Sequence, residues 1–241
     1  MREPDDDLIS TGRVADNTAS TARLFPDSVN TKFEIFSYRN AAAILKGSFE
    51  EQFAELIAAL ETFEISKTMI RTPGGSKGPI ATYVDTLFSN GWQETRISAD
   101  LHVKLIHAKR KDEILSQYTR DGYLDGHRID FVKEKVALDL EWNSKDQTYD
   151  RDLYAFSAFY DAGAIDVGII LTRGSSLDNS FFRSLGKVLN KDGTEGSEDV
   201  YKKFGASTTW IGKLLYRLDA GRNGGCPVLA IGIRPECVSD H

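Results

Sequence analysis

No stretch of this sequence approaches the roughly 20 consecutive apolar residues that a membrane-spanning helix requires, so no membrane segment is expected. The opening residues, Met1-Arg2-Glu3-Pro4-Asp5-Asp6-Asp7, are acidic and lack the apolar centre of a secretory signal. Cysteine is scarce: Cys226 and Cys237 form neither a disulfide framework nor a metal cluster, and they read as reduced thiols in a cytoplasmic protein. The four histidines, His102, His107, His127 and His241, have no zinc spacing. The glycine-containing segment Pro73-Gly74-Gly75-Ser76-Lys77-Gly78-Pro79 lacks the Gly-Lys-Ser/Thr ending of a phosphate-binding loop, so no nucleotide cofactor is expected. No serine is paired with a base that would activate it. Positive charge is not in excess either, with 30 Lys and Arg against 36 Asp and Glu. The net charge of −6 argues against a protein that coats nucleic acid nonspecifically, although acids gathered at one centre and bases gathered on one face remain compatible with that balance.

What is present is organised around residues 127–143. Val136, Leu138, Leu140 and Trp142 are apolar at every second position, and Ala137, Asp139, Glu141, Asn143 and Lys145 fill the alternate ones. This period of two predicts a strand, with Lys133-Glu134-Lys135 as a short hairpin loop joining it to a preceding strand that carries Asp130. Carboxylates held on neighbouring strands offer the hard oxygen ligands that Mg²⁺ prefers, and Mg²⁺ takes one or two protein carboxylates and keeps room for water and phosphate. A solvated strand face is the alternative for an isolated Asp-x-Glu.

The rest of the chain supplies a frame. Residues 1 to about 30 are polar and read as a loose arm, and residues 31–241 read as a single domain without repeat or linker. Phe33 to Tyr38 reads as a strand and Ala41 to Leu45 as a helical turn. Ser48-Phe49-Glu50-Glu51 reads as a capping box before a helix with Phe53, Leu56, Ile57 and Leu60 on its core face. Glu51 and Glu55 lie on that helix's flank, either as ordinary surface acids or as acids that support the metal ligands from behind or hold a second metal. Ile80 to Phe88 reads as a helix and Trp92 to Lys109 as one or two strands. Asp112 to Tyr118 reads as a short helix, and Asp121-Gly122 and Asp125-Gly126 as turns. Leu153, Phe156, Phe159 and Tyr160 predict a helix, Ile165 to Thr172 a buried strand, Ile211 to Leu218 a helix capped by Ser207 or Thr208, and Cys226 to Ile233 a final core strand. Strand, crossover helix and strand make a βαβ unit, so the fold class is α/β with a mixed sheet.

Asp130, ten residues, then Glu141-Trp142-Asn143 resembles the PD-(D/E)XK nuclease pattern. Glu141-Trp142-Asn143-Ser144-Lys145-Asp146, then Asp150-Arg151-Asp152-Leu153, then Ile165 through Gly174, resembles the BglII/BstYI group of type II restriction endonucleases. So does Phe204-Gly205-Ala206-Ser207-Thr208-Thr209 through Lys213-Leu214-Leu215 to Gly224-Gly225-Cys226-Pro227-Val228-Leu229. The resemblance covers roughly residues 33 to 233. It implies a central mixed five- to six-stranded sheet flanked by helices, a homodimer, and Mg²⁺-dependent hydrolysis of double-stranded DNA at a short palindrome, with a GATC core suggested, within a restriction-modification system. It assigns Asp130 and Glu141 to the metal, the Trp142 backbone carbonyl to the same shell, and Asn143 to the third motif position. That position usually holds Lys; Asn takes no proton at neutral pH and can only orient water. A metal-activated hydroxide, assisted by the neighbouring phosphate or by Glu141, is then the expected nucleophile, and Lys145 is a candidate for the missing positive charge.

Base reading is expected from loops at the catalytic edge of the sheet. The candidates are Ser144, Lys145 and Asp146 past the acidic strand, Arg173, Ser175 and Ser176 past the next, and Ser207, Thr208 and Thr209 before the last helix. Each has turn or cap chemistry as its alternative. Ser76, Lys77, Lys104, Lys109, Arg110, Lys202 and Lys203 are phosphate-contact candidates. A repair or modification-dependent nuclease of the same fold, or a non-catalytic DNA-binding protein, are the competing readings; intact Asp130 and Glu141 count against the last, because uncompensated acids near phosphate only weaken binding.

Overall fold

The computed structural model describes residues 18–74 and 77–240. Two short helices, α1 (Thr18–Ala22) and α2 (Asp27–Lys32), precede strand β1 (Phe33–Tyr38). Then come α3 (Ala41–Ser48), α4 (Glu50–Thr62), β2 (Ile65–Ser66), α5 (Lys67–Arg71) and α6 (Pro79–Leu87). Two long strands, β3 (Gln93–Ile106) and β4 (Ile114–Lys133), lead into β5 (Val136–Glu141), α7 (Thr148–Asp161) and β6 (Val167–Arg173). The remainder holds α8 (Asn179–Ser184), β7 (Lys187–Leu189), β8 (Glu195–Asp199), α9 (Val200–Lys203), α10 (Ile211–Asp219), β9 (Val228–Ile233) and β10 (Val238–Ser239).

The main sheet has six strands in the order β1-β9-β6-β5-β4-β3. β5, β6 and β9 run parallel, and β1, β4 and β3 join antiparallel at the two sides. This is the mixed sheet that the βαβ reading and the resemblance predict. Alternation along the central strands divides the core in two. Val136, Leu138, Val167, Ile169, Leu171, Leu229 and Ile231 face a layer built by the N-terminal helices together with Phe182 and Phe204. Ala137, Ile170, Val228 and Ala230 face the other way, onto Tyr149, Leu153 and Phe156 of α7 and Ile211, Leu214, Leu215 and Leu218 of α10. Both helices show the spacing of one apolar stripe, and that stripe is what each buries. Gly168 lets α7 sit close to the sheet, because a Cβ there would lie 2.3 Å from a ring carbon of Phe156.

Several local expectations are revised. Residues 18–30, read from composition as part of a loose arm, form α1, a turn and the start of α2, and put Phe25 and Val29 in the core; residues 1–17 lie outside the described residues. Ser48 ends α3 instead of capping α4, whose N-cap is Phe49 with no side-chain cap. The stretch Asp112 to Tyr118 is not helical: Ile114 starts β4, which pairs with β3 in a ribbon reaching far past the sheet. Asp121-Gly122 and Asp125-Gly126 are irregularities inside that ribbon, with φ of 61° at Gly122 and 85° at Gly126, a conformation glycine adopts without a Cβ clash. The ribbon leaves Leu105, Ile106, Ile114, Leu115 and Tyr118 exposed. The N-cap of α10 is Trp210, not Ser207 or Thr208.

Candidate active site

The parity of β5 that buries Val136 and Leu138 on one face turns Asp139 and Glu141 to the other, the face covered by α7. Both acids are buried, at 4% and 5% exposed. Asp130 arrives from β4, where the regular ladder with β5 has ended at the Phe131–Leu138 pair. Beyond that pair, side chains hold the strands together. The Asp130 backbone N–H donates to Asp139 Oδ1 at 2.7 Å, and the Leu140 N–H approaches Asp130 Oδ2 at 3.5 Å.

Helix α7 completes the constellation. The Thr148 hydroxyl lies 3.1 Å from Glu141 Oε2. Arg151 places Nη2 3.5 Å from Glu141 Oε1 and 2.9 Å from Asp152 Oδ1, to which its Nε also donates at 3.0 Å. Below them Thr172 donates to the Glu141 carbonyl at 2.6 Å and is itself bonded to the Tyr149 hydroxyl at 2.6 Å. The Glu141 main chain is thereby pinned from the sheet and its carboxylate from the helix.

Asp130 and Glu141 line two adjoining clefts. The first, about 410 Å³, also presents Lys77, Trp142, Asn143, Ser144, Arg151 and Lys203. The second, about 520 Å³, adds Asp139, Asp152, Glu94, Asp125, His127 and Arg128. His127 packs edge-on against Tyr154, with ring centroids 4.9 Å apart.

Electrostatically the buried acids crowd one another. Burial raises the Asp130 carboxyl, and the charge of Glu141 adds to it. Burial, with the charge of Asp130, holds Asp139 well above the ordinary carboxylate range. Burial next to Glu141 and Asp139 pushes Asp152 up to about 9. Asp139 Oδ2 and Asn143 Oδ1 are buried without a hydrogen-bond partner. An all-oxygen donor set crowded with raised acids and an unpartnered buried oxygen fits a hard divalent cation. Among the described residues no three His, Cys, Asp or Glu side chains form a metal-holding group.

The other expected site residues divide. Trp142 and Ser144 line the first cleft beside Asn143; the chain bends after Glu141, so Asn143 does not continue the strand face. Lys145 is exposed, its backbone bridges to Thr208, and it lines neither cleft. Asp146 is paired with Lys213 at 3.0 Å, toward α10. Arg173 does not present itself to a ligand. It is 4% exposed, donates to the Thr209 carbonyl at 2.9 Å and to Thr208 Oγ1 at 2.7 Å, and lies over the rings of Phe182 and Phe204. Thr208 and Thr209 are buried with it, and the Thr209 N–H is taken by the Ser144 carbonyl. Ser175 donates through both N–H and Oγ to buried Glu34 at 2.7 Å; Ser176 and Ser207 are exposed. Glu51 pairs with Lys133 at 2.8 Å, at the hairpin end away from Glu141, and lines neither cleft. Ser76 lies outside the described residues.

Sequence reasoning missed Thr148, Arg151 and Asp152 as members of the site. Their signal was available, since Thr148, Arg151, Asp152 and Ala155 share one helix face by spacing of three and four, directly after the acidic strand.

Residues 33–233, well over half of the chain, match the family model described as restriction endonuclease BglII/BglIII. No curated protein matches the chain.

Proposed function

The chain belongs to the restriction endonuclease BglII/BglIII family and is a type II, site-specific deoxyribonuclease acting on double-stranded DNA; from that premise we propose how it works. Asp130 and Glu141 would hold Mg²⁺, and the Trp142 carbonyl would be the third protein ligand. The observation that carries this reading is the convergence of Asp130 and Glu141, from separate strands, on one cleft whose other side chains include Lys77, Arg151 and Lys203. When bound, the metal supplies Lewis acidity, polarising the scissile phosphate and lowering the pKa of a water.

The chain's own groups do the rest. Thr148 and Arg151 fix the direction of the Glu141 carboxylate. Asn143, which lines the same cleft, orients the attacking water without taking its proton. Asp139 holds Asp130 in place through the backbone. Basic side chains facing the acid pair accommodate the phosphate charge. Water adds in line to phosphorus and gives its proton to the neighbouring phosphate or to Glu141, while the P–O3′ bond breaks and the 3′ oxygen takes a proton from solvent, without a covalent enzyme intermediate.

The functional unit is a homodimer, because two active sites related by a twofold axis match the two strands of a palindrome. The nuclease domain starts earlier than residue 31, since α1 and α2 belong to it and bring Phe25 and Val29 into its core. The recognition site has a GATC core, and the enzyme works in the cytoplasm as part of a restriction-modification system. The test is digestion of plasmid and phage DNA, with and without GATC methylation, in Mg²⁺. Discrete fragments whose ends map to one palindrome support the reading, and a smear or no cleavage on any of these DNAs contradicts it. Ends that map to a site without GATC overturn that part alone.

A further inference from the structure

We propose that Arg151 is a catalytic residue whose guanidinium contacts the scissile phosphodiester and neutralises the charge that builds on its non-bridging oxygens. The inference rests on the nuclease reading above and names the group that meets the phosphate.

Strand β5, which carries Glu141, brings no cation of its own to the clefts, and Arg128 of β4, which lines the second cleft, is paired with Glu94 at 3.3 Å. Asn143 is neutral, and Lys145 is exposed and outside both clefts. Of the three basic side chains lining the first cleft, two are already engaged by other groups. Lys203 Nζ donates to the carbonyls of Ile70 at 3.1 Å and Thr72 at 2.6 Å. Lys77 is ion-paired with Asp85. Arg151 alone of the three touches one of the paired acids, at 3.5 Å from Glu141 Oε1, and it alone lines both clefts.

Its anchoring leaves it free for a ligand. Nε and Nη2 grip the single oxygen Asp152 Oδ1, while Nη1 makes no hydrogen bond to the described residues. Asp152 is 2% exposed, but the Arg151 side chain is 67% exposed. One edge of the planar fork is therefore fixed by a buried acid and the remaining donor is accessible, which suits a phosphate oxygen. In the reaction a P–O bond forms to water and the P–O3′ bond breaks. Arg151 stays protonated throughout and only stabilises the added negative charge. Asp152 is the positioning residue that sets the guanidinium's direction.

The test compares wild type, Arg151→Ala, Arg151→Lys and Asp152→Asn in single-turnover cleavage of a duplex bearing the mapped site. Duplex affinity is measured in Ca²⁺, and melting curves are recorded for each. Removing one preorganised donor lowers such rates by about 10²–10³-fold, and that loss is expected for Arg151→Ala with duplex affinity and melting little changed. Arg151→Lys retains part of the rate, and added guanidinium ion restores Arg151→Ala severalfold, a response that a purely structural side chain does not give. Asp152→Asn lowers the rate less than Arg151→Ala does. Arg151→Ala cleaving at the wild-type rate overturns the proposal and leaves the nuclease reading standing. So does a loss matched by loss of fold, with no response to guanidinium and none of the rate kept in Arg151→Lys. Failure of the wild type itself to cleave overturns both.

Discussion

Asp139 accepts the backbone N–H of Asp130 at 2.7 Å, so one buried acid fixes the strand position of the other. The bond stands where the β4–β5 ladder has stopped, and it does the work of a missing backbone pair. Asp139→Ala leaves that N–H unsatisfied and is expected to cost about 1–3 kcal/mol of stability in urea unfolding, with a loss of cleavage. Asp139→Asn keeps an acceptor of the same shape and removes a buried charge, so its stability should equal or exceed that of the wild type. Equal destabilisation by the two variants would refute this account of the bond.

Gly168 is the contact point between β6 and the helix that carries Arg151 and Asp152. Gly168→Ala drives a methyl into the Phe156 ring and pushes α7 off the sheet. The expected cost is about 1–3 kcal/mol, typical of overpacking, with a cleavage defect beyond the loss of folded protein. Phe156→Leu in the same chain should recover part of both. No recovery would show that the glycine matters for another reason.

Arg173 holds the Thr208–Thr209 segment and the stacked Phe182–Phe204 pair together, with ring centroids 3.8 Å apart. Arg173→Ala should therefore destabilise the protein by several kcal/mol, because a buried hydrogen-bonded cluster loses its donor. Its surviving folded fraction should keep the wild-type sequence preference. A variant that melts normally but cuts a relaxed set of sites would return Arg173 to the role of base reader.

How far the sequence discloses this molecule depends on what its local patterns depend on. β5, β6, β9, α7 and α10 were readable because each buries one face against a layer, and burial imposes the period of two or of three to four. Glu141 was readable for the same reason, and Asp130, exposed on β4, through its ten-residue spacing from the Glu141-Trp142-Asn143 motif. The ribbon was not: with little core beneath it, β4 has no burial pattern, and glycines at its irregularities look like turn residues. Arg173, Thr208 and Thr209 looked like loop residues free for DNA because sequence does not show that the Leu177 and Thr208–Thr209 loops close over one guanidinium. The shared helix face of Thr148, Arg151 and Asp152 is visible in the spacing, but only the packing of α7 against β5 shows that this face meets Glu141.

Burial pushes the thiols of Cys226 and Cys237 each up to about 12. At pH 8 roughly one molecule in 10⁴ then carries a given thiolate, so the folded protein should resist an aromatic disulfide reagent and release two equivalents only on denaturation. The folded thiols keep their protons longer than the unfolded ones. Their contribution to stability is therefore full below the unfolded thiol pKa of about 8.5 and declines as pH rises toward about 12. Rapid native labelling at pH 8 would contradict the buried placement.

The central claim is that Asp130 and Glu141 form the catalytic pair of a site-specific nuclease. It is tested most directly by single-turnover cleavage of a mapped duplex by Asp130→Ala and Glu141→Ala, with duplex binding measured in Ca²⁺ on the same preparations. The account predicts that each variant loses about 10³-fold or more in cleavage while folding normally and still binding the duplex. Wild-type cleavage by either variant would contradict it.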